Sequence, residues 1–394
     1  MPKLKLKLKH FRHPLRTFAA AKGVFAAYVN LKILGARGDA RFRDDARYNL
    51  LSVRDGFAPR PNEDDDTAVL QRICDAYIHT TARQPLAERA YEPTRWWNGV
   101  RKTSLGPVRR ALASRDLVVL GGMYRNFFRD PCSAGLIGVP YKMSEAYRGR
   151  SFDDCSGRLF LSDALHRIDY WKELTGNRFD LHDLAGPDVG NPFGILLDGI
   201  LVRSGTESQH YSAQRIAELL PPGKAVVAEI GGGFGGVAYY ILRGRPQISY
   251  CNFDVPESIA LSCYYLLKLF PHLEFLLYGE YASIGACLAQ HSVALLPVFE
   301  LNRLPTKSVD VTFSSHTLSG LTRPAMTEYL DQIVRITRKF FLYVGRSPES
   351  NPLREMIRRR YPALTLADQR VLEWNKQKRL NDAEVECLYQ IAPS

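Results

Sequence analysis

Apolar residues fall in two rhythms along this chain, and the change comes near Lys224. Upstream the spacing is helical. Leu159 to Leu174 carries Leu161, Leu165, Ile168 and Trp171 at intervals of three and four, which predicts an amphipathic helix. Ala68 to Thr80 has the same period, with Thr67 at its start. Tyr211 to Leu220 predicts a further helix, stopped by Pro221-Pro222-Gly223, and Ile195 to Val202 predicts a hairpin around Asp198-Gly199. Downstream, short apolar runs read as buried strands: Ala225 to Ile230, Ile248 to Phe253, Val293 to Phe299, Val309 to Ser314 and Phe340 to Val344. Helical segments alternate with them at Phe234 to Leu242, Glu257 to Phe270 and Pro324 to Arg338. Arg370 to Trp374 and Val385 to Ile391 are expected to close the sheet, and Leu273 to Tyr278 is an extra apolar run without an assigned place. Strands alternating with helices predict an α/β, Rossmann-like domain with a mostly parallel sheet covered on both faces. The expected organisation is a basic arm (1–60), a mainly helical region (61–190) and the α/β domain (191–394).

Charge changes the picture at one end only. The net charge is +12, and residues 1–60 hold 14 Lys or Arg against 4 Asp, a net +10. A nucleic-acid-binding domain spreads basic residues over its folded surface; here the rest is close to neutral, so no nucleic acid is expected. Lys3 to Lys9 alternates Lys and Leu, and Arg16 to Leu34 predicts a helix interrupted by Lys22. That pattern suits a helix lying on an anionic membrane surface, through residues 1–38, or on the protein itself, better than a signal peptide. Seven scattered cysteines without a Cys-x-x-Cys pair fit reduced thiols in a cytoplasmic protein rather than disulfides or zinc.

The richest chemistry lies where the strand ending Glu229-Ile230 meets Gly231-Gly232-Gly233-Phe234-Gly235-Gly236 and a helix follows. Glycines let the backbone turn sharply and approach a ligand closely, and a helix N-terminus offers N–H donors. Two ligands compete. Gly231, Gly233 and Gly236 satisfy the G-x-G-x-x-G of dinucleotide sites, with Asp254 placed for a ribose. Glu229 favours the other: a carboxylate there repels a pyrophosphate but accepts from the ammonium of S-adenosylmethionine.

The run Glu229-x-Gly231-x-Gly233-x-Gly235, with Asp254 closing the next strand, resembles the first motifs of class I S-adenosylmethionine-dependent methyltransferases. Val293 to Glu300 and Leu304 to Val311 are similar to that family's third and fourth strands. The resemblance implies a mostly parallel seven-stranded sheet, with Glu229, Gly231, Gly233, Gly235 and Asp254 on the cofactor and Phe299 and Glu300 near its adenine. Glu280 takes the place of Glu300 if Leu273 to Tyr278 is the third strand. More narrowly, 229–240, Phe253 to Glu257, Tyr264-Tyr265-Leu266, Ser315 to Ser319 and Gly190 to Gly194 resemble a group of bacterial sugar O-methyltransferases, which implies a glycan or glycan-precursor hydroxyl as acceptor. That group carries Glu-Met where this chain has Gly320-Leu321.

Such a hydroxyl is a poor nucleophile and benefits from a general base near pH 7. His316, after the fourth strand, is the candidate; His210 could instead close over the cofactor or hold the sugar. The dense acid clusters, Asp153-Asp154 and Glu63 to Asp66, lie away from strand ends, so no metal is expected. Trp96, Trp97 and Trp171 read as core rather than sugar platforms. The competing functions are an NAD(P)-dependent oxidoreductase and a non-catalytic methyltransferase-like scaffold. The favoured location is the cytoplasm, with a peripheral contact at the inner face of the membrane.

Overall fold

The computed structural model describes residues 33–61, 65–137, 154–280, 293–377 and 383–392. Most of the basic arm and its expected helix therefore lies outside the described residues, as do Asp153, Glu63 and Asp64.

Residues 33–42 form a helix, α1, followed by α2 (Leu50–Gly56), α3 (Thr67–Arg83), α4 (Arg95–Thr103), α5 (Gly106–Ser114), α6 (Leu117–Tyr124) and α7 (Asp154–Leu174). A short α8 (Leu181–Leu184) precedes the expected hairpin, β1 (Gly194–Leu197) and β2 (Ile200–Arg203), paired antiparallel around Asp198-Gly199. Next come α9 (Thr206–Leu219), β3 (Val226–Ile230), α10 (Gly236–Gly244), β4 (Ser249–Asp254), α11 (Pro256–Leu269), β5 (Phe275–Leu277) and β6 (Val293–Pro297). The chain closes with β7 (Val309–Ser315), α12 (Arg323–Ile336), β8 (Thr337–Arg346), α13 (Asn351–Arg360), β9 (Leu364–Leu372) and β10 (Glu384–Ile391).

The main sheet runs β5-β6-β4-β3-β7-β8-β10-β9. It is parallel from β5 to β8, and β10 is antiparallel to both neighbours. This is the Rossmann-like methyltransferase arrangement. A dinucleotide domain of the 3-2-1-4-5-6 type has no such inserted antiparallel strand. The sheet has eight strands rather than the expected seven. Leu273 to Tyr278 supplies the additional one, a three-residue edge strand, and Val293–Pro297 takes the place beside β4.

Residues alternate across the sheet as period two demands. Val227, Tyr250 and Leu295 face α9, α10, α11 and the upstream helices, and Ala228, Cys251 and Leu296 face α12 and α13. The helix α10 starts two residues later than its apolar pattern, because Gly235 enters it in the left-handed region at φ 94°. The strand β9 begins at Leu364 rather than Arg370: it is an edge strand whose extent follows its pairing with β10, not an apolar run. Sequence reading missed α13, which buries only Leu353, Met356 and Ile357 and carries four arginines and a glutamate on the rest of its surface.

Residues 33–60 do not hang free. Phe42 is buried, Arg41 bonds His166 of α7 at 2.9 Å, and Arg60 N donates to Asn191 Oδ1 at 2.8 Å. The acidic linker ends in a buried anchor, since Asp66 accepts from Tyr264 Oη (2.8 Å) and Lys268 Nζ (2.6 Å) of α11. Among the described residues, no helix is long and apolar enough to cross a membrane.

Candidate active site

The glycine turn after β3 is held by its neighbours' backbone and side chains. Gly231 N donates to Phe253 O at 2.8 Å, Gly232 N to Asn252 Oδ1 at 3.1 Å and Gly233 N to Asp254 Oδ2 at 3.0 Å. From outside the sheet, Leu136 O receives Phe234 N at 3.3 Å. The sequence reading leaves space above the glycines for a ligand. The structure shows protein in that space at two of them: a Cβ on Gly231 (φ 83°) would sit 1.8 Å from Thr317 Oγ1, and one on Gly233 (φ 60°) 2.6 Å from Leu136 O. These glycines serve chain-to-chain approach as well as turning.

Glu229 lies buried beneath this turn and accepts from Tyr250 Oη. Burial pushes its carboxyl up to about 7, against the Tyr250 bond, and the Asp254 charge adds to the rise. Among the described residues no cation pairs with it. Asp254, at the end of β4, also accepts from Val255 N at 2.7 Å and from Ser258 Oγ. Burial lifts it to about 6, opposed by the Ser258, Val255 and Gly233 hydrogen bonds. Asp254 is thus a staple of the loop as well as a ribose candidate.

Phe299 and Glu300 follow β6 in a 3-10 turn (Val298–Arg303), one strand over from Asp254, which pairs with Pro297. Phe299 meets the Tyr278 ring edge-on at 5.5 Å, and buried Glu300 pairs with Arg303 at 3.3 Å. Glu280 has a structural post elsewhere, holding Arg72 at 2.6 Å and Leu277 N at 2.9 Å.

His316 turns off the end of β7 in the left-handed region, φ 60°, a conformation uncommon for a side-chain-bearing residue and enriched at functional turns. Its half-exposed ring has the acid partner that sequence reading did not find: Nε2 lies 3.4 Å from Glu384 Oε1 at the start of β10. Burial alone would raise Glu384, but the His316 bond and the charges of His316, Arg167 and Arg346 hold it below the usual carboxylate range. Behind it, Arg167 pairs with buried Glu207 at 3.3 Å. His210 is not at the site. It is buried among Trp171, Phe179 and Tyr240, accepts from Trp171 Nε1 at 3.1 Å, and is pushed down to about 4 by burial. Trp97 and Trp171 are core as expected, whereas Trp96 is 64% exposed.

The donor set fits S-adenosylmethionine. A buried carboxylate without a cation suits an ammonium, and an acid at the next strand end suits ribose hydroxyls. It does not suit a pyrophosphate beside Glu229. Among the described residues, no group of three or more His, Cys, Asp or Glu could hold a metal ion.

No protein-family model and no curated protein matches the chain. Solved structures do. They include a SAM-dependent methyltransferase from Aquifex aeolicus, 14% identical with a TM-score of 0.33, covering 48% of this chain and 94% of that one. A Pyrococcus abyssi tRNA (uracil-54, C5)-methyltransferase in complex with S-adenosyl-L-homocysteine is 13% identical with a TM-score of 0.31, covering 47% of this chain and 38% of that one. The [4+2]-cyclase SpnF is 10% identical with a TM-score of 0.35, covering 49% and 84%. The fold assignment rests on the strand order itself.

Proposed function

We propose that this chain is an S-adenosylmethionine-dependent O-methyltransferase acting on a sugar hydroxyl of a glycan or glycan precursor. The observation that carries the cofactor is Glu229, a buried carboxylate under a glycine turn with no cation paired to it among the described residues. The acceptor class is supported by the resemblance of 229–240 and the associated segments to sugar O-methyltransferases. When bound, S-adenosylmethionine supplies an electrophilic methyl group. Glu229 orients the ammonium, Asp254 the ribose, and the turn after β6, with Phe299 and Glu300, borders the adenine. Glu384, ionised, keeps the His316 proton on Nε2 and leaves Nδ1 to take the proton of the acceptor hydroxyl. Residues 1–38, with nine Lys or Arg and no acid, would hold the enzyme at an anionic membrane where lipid-linked glycans lie.

Titration calorimetry on the full chain tests the cofactor. Binding of S-adenosylmethionine and not of NAD is expected; NAD binding alone would return the oxidoreductase reading. Release of S-adenosylhomocysteine with glycan acceptors separates the enzyme from a scaffold that binds without turnover.

A further inference from the structure

Arg203, the last residue of β2, is 6% exposed, yet no carboxylate among the described residues pairs with it. Its guanidinium is stacked over Phe128 (4.8 Å) and Phe234 (5.0 Å). Its hydrogen bonds go to neutral oxygens only, Gln209 Oε1 at 2.6 Å and Ser204 O at 3.4 Å. Other arginines of the interior are held by acids or by several carbonyls: Arg129 bonds four backbone oxygens, of Phe57, Ala58, Asn191 and Pro192, and Arg335 bonds those of Leu301, Asn302 and Leu304. Arg167 has Glu207, Arg215 has Glu386 at 2.9 Å, and Arg101 has Glu257 at 2.8 Å. Arg203 has one backbone oxygen, at 3.4 Å, and no acid among the described residues; a buried charge so poorly compensated costs several kcal/mol, which an anion from outside the chain would offset.

The location says which anion. Phe234 is part of the glycine turn. Gln209, which holds the guanidinium, packs against Gly236, where a Cβ would lie 2.5 Å from its Cδ. The charge therefore stands at the N-terminus of α10, whose first-turn N–H groups have no intrahelical acceptor and whose dipole is positive. Two positive features at one place favour a carboxylate. Glu229, on the same turn, offers the opposite charge. An α-amino acid carries both groups on one carbon.

We propose that Arg203 binds the carboxylate of the methionyl moiety of S-adenosylmethionine, while Gln209 holds the guanidinium in place. This rests on the cofactor assignment above. Arg203 stacks on the ring of the glycine turn, so the amino-acid end of the ligand is held between β2 and β3, and the hairpin upstream of the sheet is part of the cofactor site.

Calorimetry with S-adenosylmethionine and its decarboxylated analogue tests this, on the full-length wild type, R203M and R203K. The wild type is expected to prefer the carboxylate-bearing ligand by about 10- to 100-fold, the range of a charge-assisted hydrogen bond. R203M should lose most of that preference, keeping only what the helix N-terminus supplies, a few-fold at most. R203K keeps the charge but not the fork, and should retain part of the preference. Unliganded R203M should melt no lower than the wild type, since the uncompensated charge goes with the side chain. R203M discriminating as well as the wild type overturns the proposal and leaves the cofactor assignment standing. A wild type that binds S-adenosylmethionine not at all overturns both.

Discussion

Glu229 takes its proton from burial, and that makes it a pH-dependent contact. Its carboxyl is raised from the ordinary 4.5 to about 7, and Asp254 from 3.8 to about 6. Both shifts are upward, so the stability these groups contribute is present below about pH 4 and is lost as pH rises through 6 to 7. Ligand binding should run the other way, because an ammonium needs the ionised carboxylate. Affinity for S-adenosylmethionine is expected to rise from pH 5.5 to 7 by up to about tenfold per unit, and E229Q should bind weakly with a flat profile; calorimetry at several pH values reads both. The His316–Glu384 pair makes a separate prediction. H316A should lower turnover about 10²- to 10⁴-fold with the cofactor Kd unchanged. Glu384 positions rather than reacts, so E384Q should lower kcat while sparing cofactor affinity, and E384D should restore part of it. Full turnover in H316A would move the base elsewhere. Glu229 and Asp254 were legible because each ends an apolar run beside a glycine turn. Glu384 was not: it lies far from His316 in sequence, and only the antiparallel return of β10 brings it to the carboxyl edge of the sheet.

Among the elements, the parallel strands were legible because both faces are buried and the sequence reads as unbroken apolar runs. The edges were not. The three residues of β5 are too few to distinguish a strand from a loop, and β9 buries only its end residues, Leu364 and Leu372. The inserted β10 left no trace of its direction in its own residues. How elements meet at the site was also hidden, since the contact of the β7 turn with the β3 turn depends on Thr317 filling the space over Gly231. G231A should therefore destabilise the protein by at least about 2 kcal/mol, the sum of a left-handed backbone and a displaced side chain. In G231A/T317G the side-chain part should return and the backbone part should not. Chemical denaturation of the three proteins checks this; an unchanged G231A would mean the two turns part easily.

For the whole molecule, the packing of α1 on α7 sets where the basic arm can be cut. A Cβ on Gly38 would meet Ser162 at 2.6 Å, and Tyr48 Oη bonds Asp39 at 2.8 Å, so a chain beginning near Asp39 would lose part of the body. One beginning at residue 33 would keep it. The full chain is expected to bind anionic liposomes at low salt and the shortened chain not to, while both bind S-adenosylmethionine. Equal liposome binding would remove the membrane from the arm's role. Composition placed the charge but could not show where the arm ends, because the apolar residues of Arg16 to Leu34 suit lipid and protein alike. Finally, the glycine turn borrows its closure from upstream: the Leu136 carbonyl receives its Phe234 amide, and Gln209 leans on Gly236. Diversification by recombination is constrained accordingly. A single crossover between residues 137 and 190 would exchange the upstream helices together with the backbone that seals the turn, so change in those helices should arise by point substitutions rather than by exchange of the whole region.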